Sequence, residues 1–127
     1  MEDVNKPLKK NHRKISRLLI ANRGEIARRI NRSAQEMGLI TIAVYSESDV
    51  NSPHVKECDF AVSLDGETTQ DTYLNQEKII NACVQTNADA IHPGYGFLSE
   101  NSTFASRVVS KKIIWIGPSP DAIASMG

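Results

Sequence analysis

The chain has 127 residues, 40% of them apolar, which suits one globular domain with a core of its own. Fifteen lysines and arginines balance fifteen aspartates and glutamates, so no net field draws it to nucleic acid or to an anionic membrane. Cys58 and Cys83 form no CxxC pair and stand near no regularly spaced histidine, which argues against a zinc site or a disulfide framework. No apolar run approaches the roughly 18 residues of a spanning helix, and no hydrophobic signal region opens the chain. A soluble protein of a reducing compartment is expected: the cytoplasm, with the mitochondrial matrix as the alternative.

Residues 1–14 carry Lys6, Lys9, Lys10, Arg13 and Lys14 with few apolar positions, and read as a flexible basic tail. Early acids, Glu2 and Asp3, and scarce serine argue against a transit peptide. From residue 15 to 127 short apolar runs alternate with helical segments, the pattern of one α/β domain: an open, mainly parallel sheet of about five strands with helices on both faces. The first strand is Ser16 to Ala21. A helix follows over Gly24 to Met37, with Ile26, Ile30, Ala34 and Met37 on its buried face, and Gly38 ends it. Leu39 to Tyr45 is nearly all apolar, as a strand covered on both faces should be. Phe60 to Ser63 is a short third strand. Asn75 caps a helix that buries Ile79, Ile80, Cys83 and Val84. Ala88 to Ile91 is the fourth strand, Asn101 to Ser110 a helix, and Ile113 to Ile116 the fifth strand. Pro120 opens a closing helix.

Ligands of an open parallel sheet gather at the carboxyl ends of its strands, so the turns there bear the candidate residues. The first is Asn22-Arg23-Gly24-Glu25, an amide and a cation beside a helix start. Its local chemistry suits an anion, or more simply Asn22 bonding turn amides and Arg23 pairing with a nearby acid such as Glu25. The second is His92-Pro93-Gly94-Tyr95-Gly96-Phe97, where glycines on each side of Tyr95 let the backbone approach a ligand; a rigid Pro-Gly turn is the equal alternative. Phe97 and Leu98 anchor this loop in the core. His92 has no carboxylate partner nearby in sequence, which suits a packing or orienting role. The third turn is Gly117-Pro118-Ser119. A dinucleotide-binding reading has Glu47 at a suitable distance beyond Gly24, but Glu25, Ile26, Ala27 and Arg28 stand where the GxGxxG fingerprint needs glycines.

Taken together, these turns resemble those of biotin carboxylases. Ile20-Ala21-Asn22-Arg23-Gly24-Glu25-Ile26-Ala27 resembles the family's opening, Ser52 and His54-Val55 before Asp59 its next segment, and Thr72-Tyr73-Leu74-Asn75 the start of a following helix. His92 to Asn101, HPGYGFLSEN, is the most specific stretch, and Ile116-Gly117-Pro118 with Ala122-Ile123 and Met126-Gly127 completes the likeness. Ser63 to Glu67 and Trp115 to Ser119 are most similar to the biotin-carrying alpha subunits of acyl-CoA carboxylases, with urea amidolyase and pyruvate carboxylase as alternatives.

The resemblance implies a pre-ATP-grasp domain, followed in the complete enzyme by an ATP-grasp domain, a biotin carrier domain and a carboxyltransferase subunit. That enzyme makes carboxyphosphate from ATP and bicarbonate with Mg2+, then carboxylates the ureido nitrogen of biotin. It further implies that Tyr95 and Gly96 lie beside biotin, that His92, Gly94 and Glu100 support their loop, and that Asn22, Arg23 and Glu25 brace the domain against its neighbour. Arg29, Arg32 and Glu36 would face a second copy in a homodimer, with an Arg32–Glu36 pair as the plain alternative. The family's Asp-Lys segment follows Met-Gly, where this sequence stops. The chain alone is therefore expected to hold no metal site, to bind no cofactor and to turn over no ATP, leaving a non-catalytic binding module as the modest alternative.

Overall fold

The computed structural model describes residues 14–126, so residues 1–13 of the expected basic tail lie outside the described residues. Five strands form one sheet: β1 Arg17–Ile20, β2 Ile40–Tyr45, β3 Phe60–Ser63, β4 Ala90–His92 and β5 Ile114–Trp115. Every pairing is parallel, in the order β3-β2-β1-β4-β5. Five helices accompany them: α1 Gly24–Glu36, α2 Pro53–Glu57, α3 Gln76–Thr86, α4 Ser102–Ser110 and α5 Pro120–Met126. The anticipated α/β architecture is thus present. Strand order runs outward from β1 to β3 and restarts on the other side of β1 with β4. The switch point therefore lies between the carboxyl ends of β1 and β4, where Ile20 is level with His92.

Alternation along the strands divides the core. Leu19, Ile42, Val44 and Ile91 turn to one face, where α3 and α4 bring Ile79, Ile80, Cys83, Phe104 and Val108. Leu18, Ile20, Ala43 and Ala90 turn to the other, against Ala27 and Ala34 of α1 and against Cys58. Each fully buried Leu, Ile or Phe among them is worth about 1.5–3 kcal/mol over exposure. Both thiols are free, and burial pushes Cys58 up to about 11 and Cys83 up to about 12. Helix starts are fixed locally: Asn75 Oδ1 accepts the Lys78 N–H at 3.1 Å, and Asn101 Oδ1 accepts that of Phe104 at 2.8 Å. Each such cap contributes about 1 kcal/mol.

The sequence periods misplace two helix faces. Residues Ala27, Asn31 and Ala34 are the buried ones in α1, while Ile26 and Ile30 are half-buried and Met37 is 75% exposed. Ala27 and Ala34 pack directly on Leu18, Ile20, Ala43 and Ala90, and Asn31 is buried on the same face with its Nδ2 donating to the Glu57 carbonyl oxygen. The larger side chains are displaced to the rim of an apolar groove that Ile15, Leu39 and Ile116 also line. In α3 the buried set includes Ala82, and Val84 is 58% exposed. Residues 46–59, too short in their repeats to show a period, fold as a 3-10 turn over Glu47–Asp49 and then α2. The Arg32–Glu36 pair does not form; Arg32 Nη2 lies 3.7 Å from Glu25 instead.

Candidate functional site

In a doubly wound sheet the crevice at the switch point ordinarily receives the ligand. Here Asn22 fills it. The residue lies two positions beyond β1, is 1% exposed, and its Nδ2 donates to the carbonyl oxygens of Pro93 and Tyr95, both at 2.7 Å. Its Oδ1 accepts the Arg23 N–H at 2.8 Å. Gly94 lies directly over this amide: a Cβ there would stand 2.6 Å from Asn22 Nδ2 and 3.0 Å from Ile26 Cγ2. The first and second turns are therefore one unit, held by one side chain.

Arg23 turns the other way. Its Nε and Nη2 donate to the two carboxylate oxygens of Asp49, each at 2.6 Å, rather than to Glu25. Glu25 instead lies 3.6 Å from Arg28 and 3.7 Å from Arg32. Asp49 is 4% exposed and also accepts from the Tyr73 hydroxyl at 2.7 Å. The Arg23 guanidinium holds the Asp49 carboxyl well below the usual carboxylate range and has its own pKa raised in return. Burial, assisted by the Asp49 bond, pushes Tyr73 up to about 12. Nearby His54 is buried with Nε2 3.2 Å from the Val44 carbonyl oxygen, and burial lowers its pKa. Sequence reasoning missed Asp49 altogether and saw Tyr73 only as part of a helix start.

The loop beyond Asn22 faces outward. Tyr95 is 74% exposed, and a Cβ on Gly96, at φ +69°, would meet nothing within 4 Å. Phe97 adopts φ +48°, a left-handed conformation costing about 1–2 kcal/mol for a residue with a side chain. It is held there by packing: its ring lies 5.4 Å from that of Tyr73, and Leu98 is buried beside it in the core. His92 Nδ1 accepts the Gly94 N–H at 3.1 Å, and burial lowers the His92 pKa. Glu100 is exposed and makes no hydrogen bond or ion pair to the loop among the described residues, so loop support comes from Asn22 in its place. Tyr95 and His92 close one end of the apolar groove beside α1.

Of the other sequence-selected residues, Arg29 lines the same groove as His92 and Tyr95, and the rest stand apart from this unit. Arg29, Arg32 and Glu36 lie on the exposed face of α1. The third turn shares the sheet's carboxyl edge but is occupied internally: Trp115 Nε1 donates to the Pro118 carbonyl oxygen at 2.7 Å, and Ser119 Oγ accepts the Ala122 N–H at 3.1 Å.

The fold and site define an α/β module with an all-parallel sheet, whose first and fourth strand ends are tied together by its own asparagine. Residues 14–123 match the family "biotin carboxylase, N-terminal domain", and the chain belongs to that family. The alpha3 subunit of a biotin-dependent acyl-coenzyme A carboxylase from Mycobacterium leprae is 48% identical over 90% of this chain and 19% of its own length. Biotin carboxylase 2 of Bacillus subtilis is 52% identical over 88% of this chain and 25% of its own. In the crystal structure of Kluyveromyces lactis urea carboxylase, 51% identical, the match covers 87% of this chain and 10% of that one with a TM-score of 0.86. The chain thus spans a quarter or less of these relatives.

Biotin, the group the family implies, fits what the loop offers: an exposed aromatic ring next to backbone that no side chain covers. Among the described residues no three of His, Cys, Asp and Glu converge to hold a metal ion, and the crevice between β1 and β4 is filled.

Proposed function

We propose that this chain is the N-terminal domain of a biotin-dependent carboxylase and presents Tyr95 and Gly96 to the biotin ring. The observation carrying this reading is the outward-facing Tyr95–Gly96 backbone, held from beneath by Asn22. In the complete enzyme the biotin ureido nitrogen takes up a carboxyl group in a reaction driven by ATP and bicarbonate. This chain contributes position: a flat ring on one side and open backbone on the other. His92 holds the turn, since its Nδ1 is engaged with Gly94.

ATP and magnesium belong to the ATP-grasp domain that would follow, with the carrier domain and carboxyltransferase subunit as further partners. The chain alone would hydrolyse no ATP. An acyl-CoA acceptor is supported by the wording of Ser63–Glu67 and Trp115–Ser119 and by the Mycobacterium leprae relative. Exposed Arg29, Arg32 and Glu36 support pairing of two copies through α1, and the two free thiols support a cytoplasmic setting.

In the complete enzyme, Gly96→Val is expected to impair biotin carboxylation while leaving ATP affinity nearly intact. Because Gly96 has φ +69°, the variant's unfolding in urea is measured in parallel. Tyr95→Phe removes only a hydroxyl that bonds nothing among the described residues, so it separates ring contact from damage. Normal biotin kinetics in a normally folded Gly96→Val enzyme would make the loop structural and end this reading.

A further inference from the structure

We infer that the dipeptide Asn22-Arg23 is a two-armed positioning clamp on the loop from Pro93 to Phe97, one arm direct and one relayed through Asp49 and Tyr73. This rests on the reading that the loop faces biotin. The direct arm is the Asn22 amide: both its protons go to loop carbonyls, at Pro93 and Tyr95, and its bulk occupies the space that a Gly94 side chain would need. The relayed arm starts at the next residue. Arg23 fixes Asp49, Asp49 accepts from the Tyr73 hydroxyl, and the Tyr73 ring packs on Phe97 at 5.4 Å. One arm therefore holds the loop up to the peptide that joins Tyr95 to Gly96, the other holds it after Gly96.

Neither arm touches the open side of Gly96, where a ligand would lie. Asn22 and Arg23 act on binding only through loop geometry. The first arm is sensitive to donor identity: an acid in place of Asn22 has nearly its shape but, when ionised, sets negative charge against two carbonyl oxygens. Burial and those oxygens raise the pKa of such a carboxyl, and its neutral form restores one donor. A role in core packing alone responds to shape and not to this proton.

The test is Asn22→Asp in the full chain, followed by the 1H–15N NMR signals of Gly94, Tyr95 and Gly96 across pH, and in the complete enzyme by KM for biotin and for ATP. The clamp predicts that the three loop signals follow one titration curve set above an ordinary aspartate, while Leu19 and Ile42 stay still. Biotin KM should rise about tenfold above that transition and recover below it, with ATP KM within about twofold throughout. Loop signals that titrate while biotin KM does not would uphold the clamp and overturn the biotin reading. Loop signals that stay still while the urea midpoint falls would overturn the clamp, whatever the kinetics. Tyr73→Phe, which keeps the ring, tests the relayed arm and decides the matter if the first variant does not fold. It should shift the Gly96 and Phe97 signals, and unchanged signals would overturn the inference.

Discussion

Gly94 and Gly96 flank Tyr95 with nearly equal backbone angles, φ +67° and +69°, and opposite surroundings. Beneath Gly94 the Asn22 amide and Ile26 leave no room for a Cβ; around Gly96 there is open space. One left-handed turn thus serves packing at one residue and display two residues later. A glycine's angle says that it is needed there, and only its neighbours say for what.

The largest effect should come from giving each glycine a methyl. Gly96→Ala carries backbone strain alone, about 1 kcal/mol, whereas Gly94→Ala must also push Asn22 off its two carbonyls and should lose about 3 kcal/mol in urea unfolding. Equal losses would break the comparison. Next in size is Asp49→Asn, which leaves Arg23 without its charged partner and weakens the acceptor for Tyr73. Because Arg23 is half exposed, about 2 kcal/mol is expected, less than for burying a lone charge. A variant as stable as the parent protein would show that the network holds shape without adding stability.

The smallest effect is one of pH. Burial lowers the pKa of His54 and His92 in the folded chain, while in the unfolded chain both take up protons near about 6.5. The unfolded state then binds more protons, so stability falls as pH drops through and below that value. Asp49, whose carboxyl is held low, adds a second loss once pH falls below about 4, where the unfolded aspartate becomes protonated. Protonated His92 Nδ1 can no longer accept the Gly94 N–H, so the Gly94 amide should keep its hydrogen-exchange protection through the first stage and lose it only at lower pH, where His92 takes up a proton within the fold, while Gly96 does not change. Urea midpoints and exchange rates followed across that range check both stages, and a flat profile would mean that the histidines take up protons within the fold.

Strand positions were legible because a strand buried on both faces is a run of apolar residues, and Leu18 to Ile20, Ile42 to Val44 and Ala90 to Ile91 are such runs. The inward face of α1 was not legible. A helix period marks large apolar residues as inward, yet α1 turns Ala27, Asn31 and Ala34 to the sheet and leaves Met37 outside. In the loop, the two glycines and the anchors Phe97 and Leu98 could be read from residue type. What holds the loop could not: Asp49 sits in a polar stretch with no period, and its partners Arg23 and Tyr73 come from turns far away in sequence. Asn22 was seen as bonding turn amides, whereas its main partners are carbonyls some seventy residues on.

The two cysteines divide between the faces of the sheet, Cys58 under α1's side and Cys83 under that of α3 and α4. The thiolate is the form that attacks an alkylating reagent, and two buried thiols pushed up to about 11 and about 12 offer almost none of it until the chain around them opens. Their labelling rates therefore act as separate clocks for the two faces. Matching rates describe a molecule that opens as one cooperative unit, and differing rates one that sheds the helices of one face while the other stays closed.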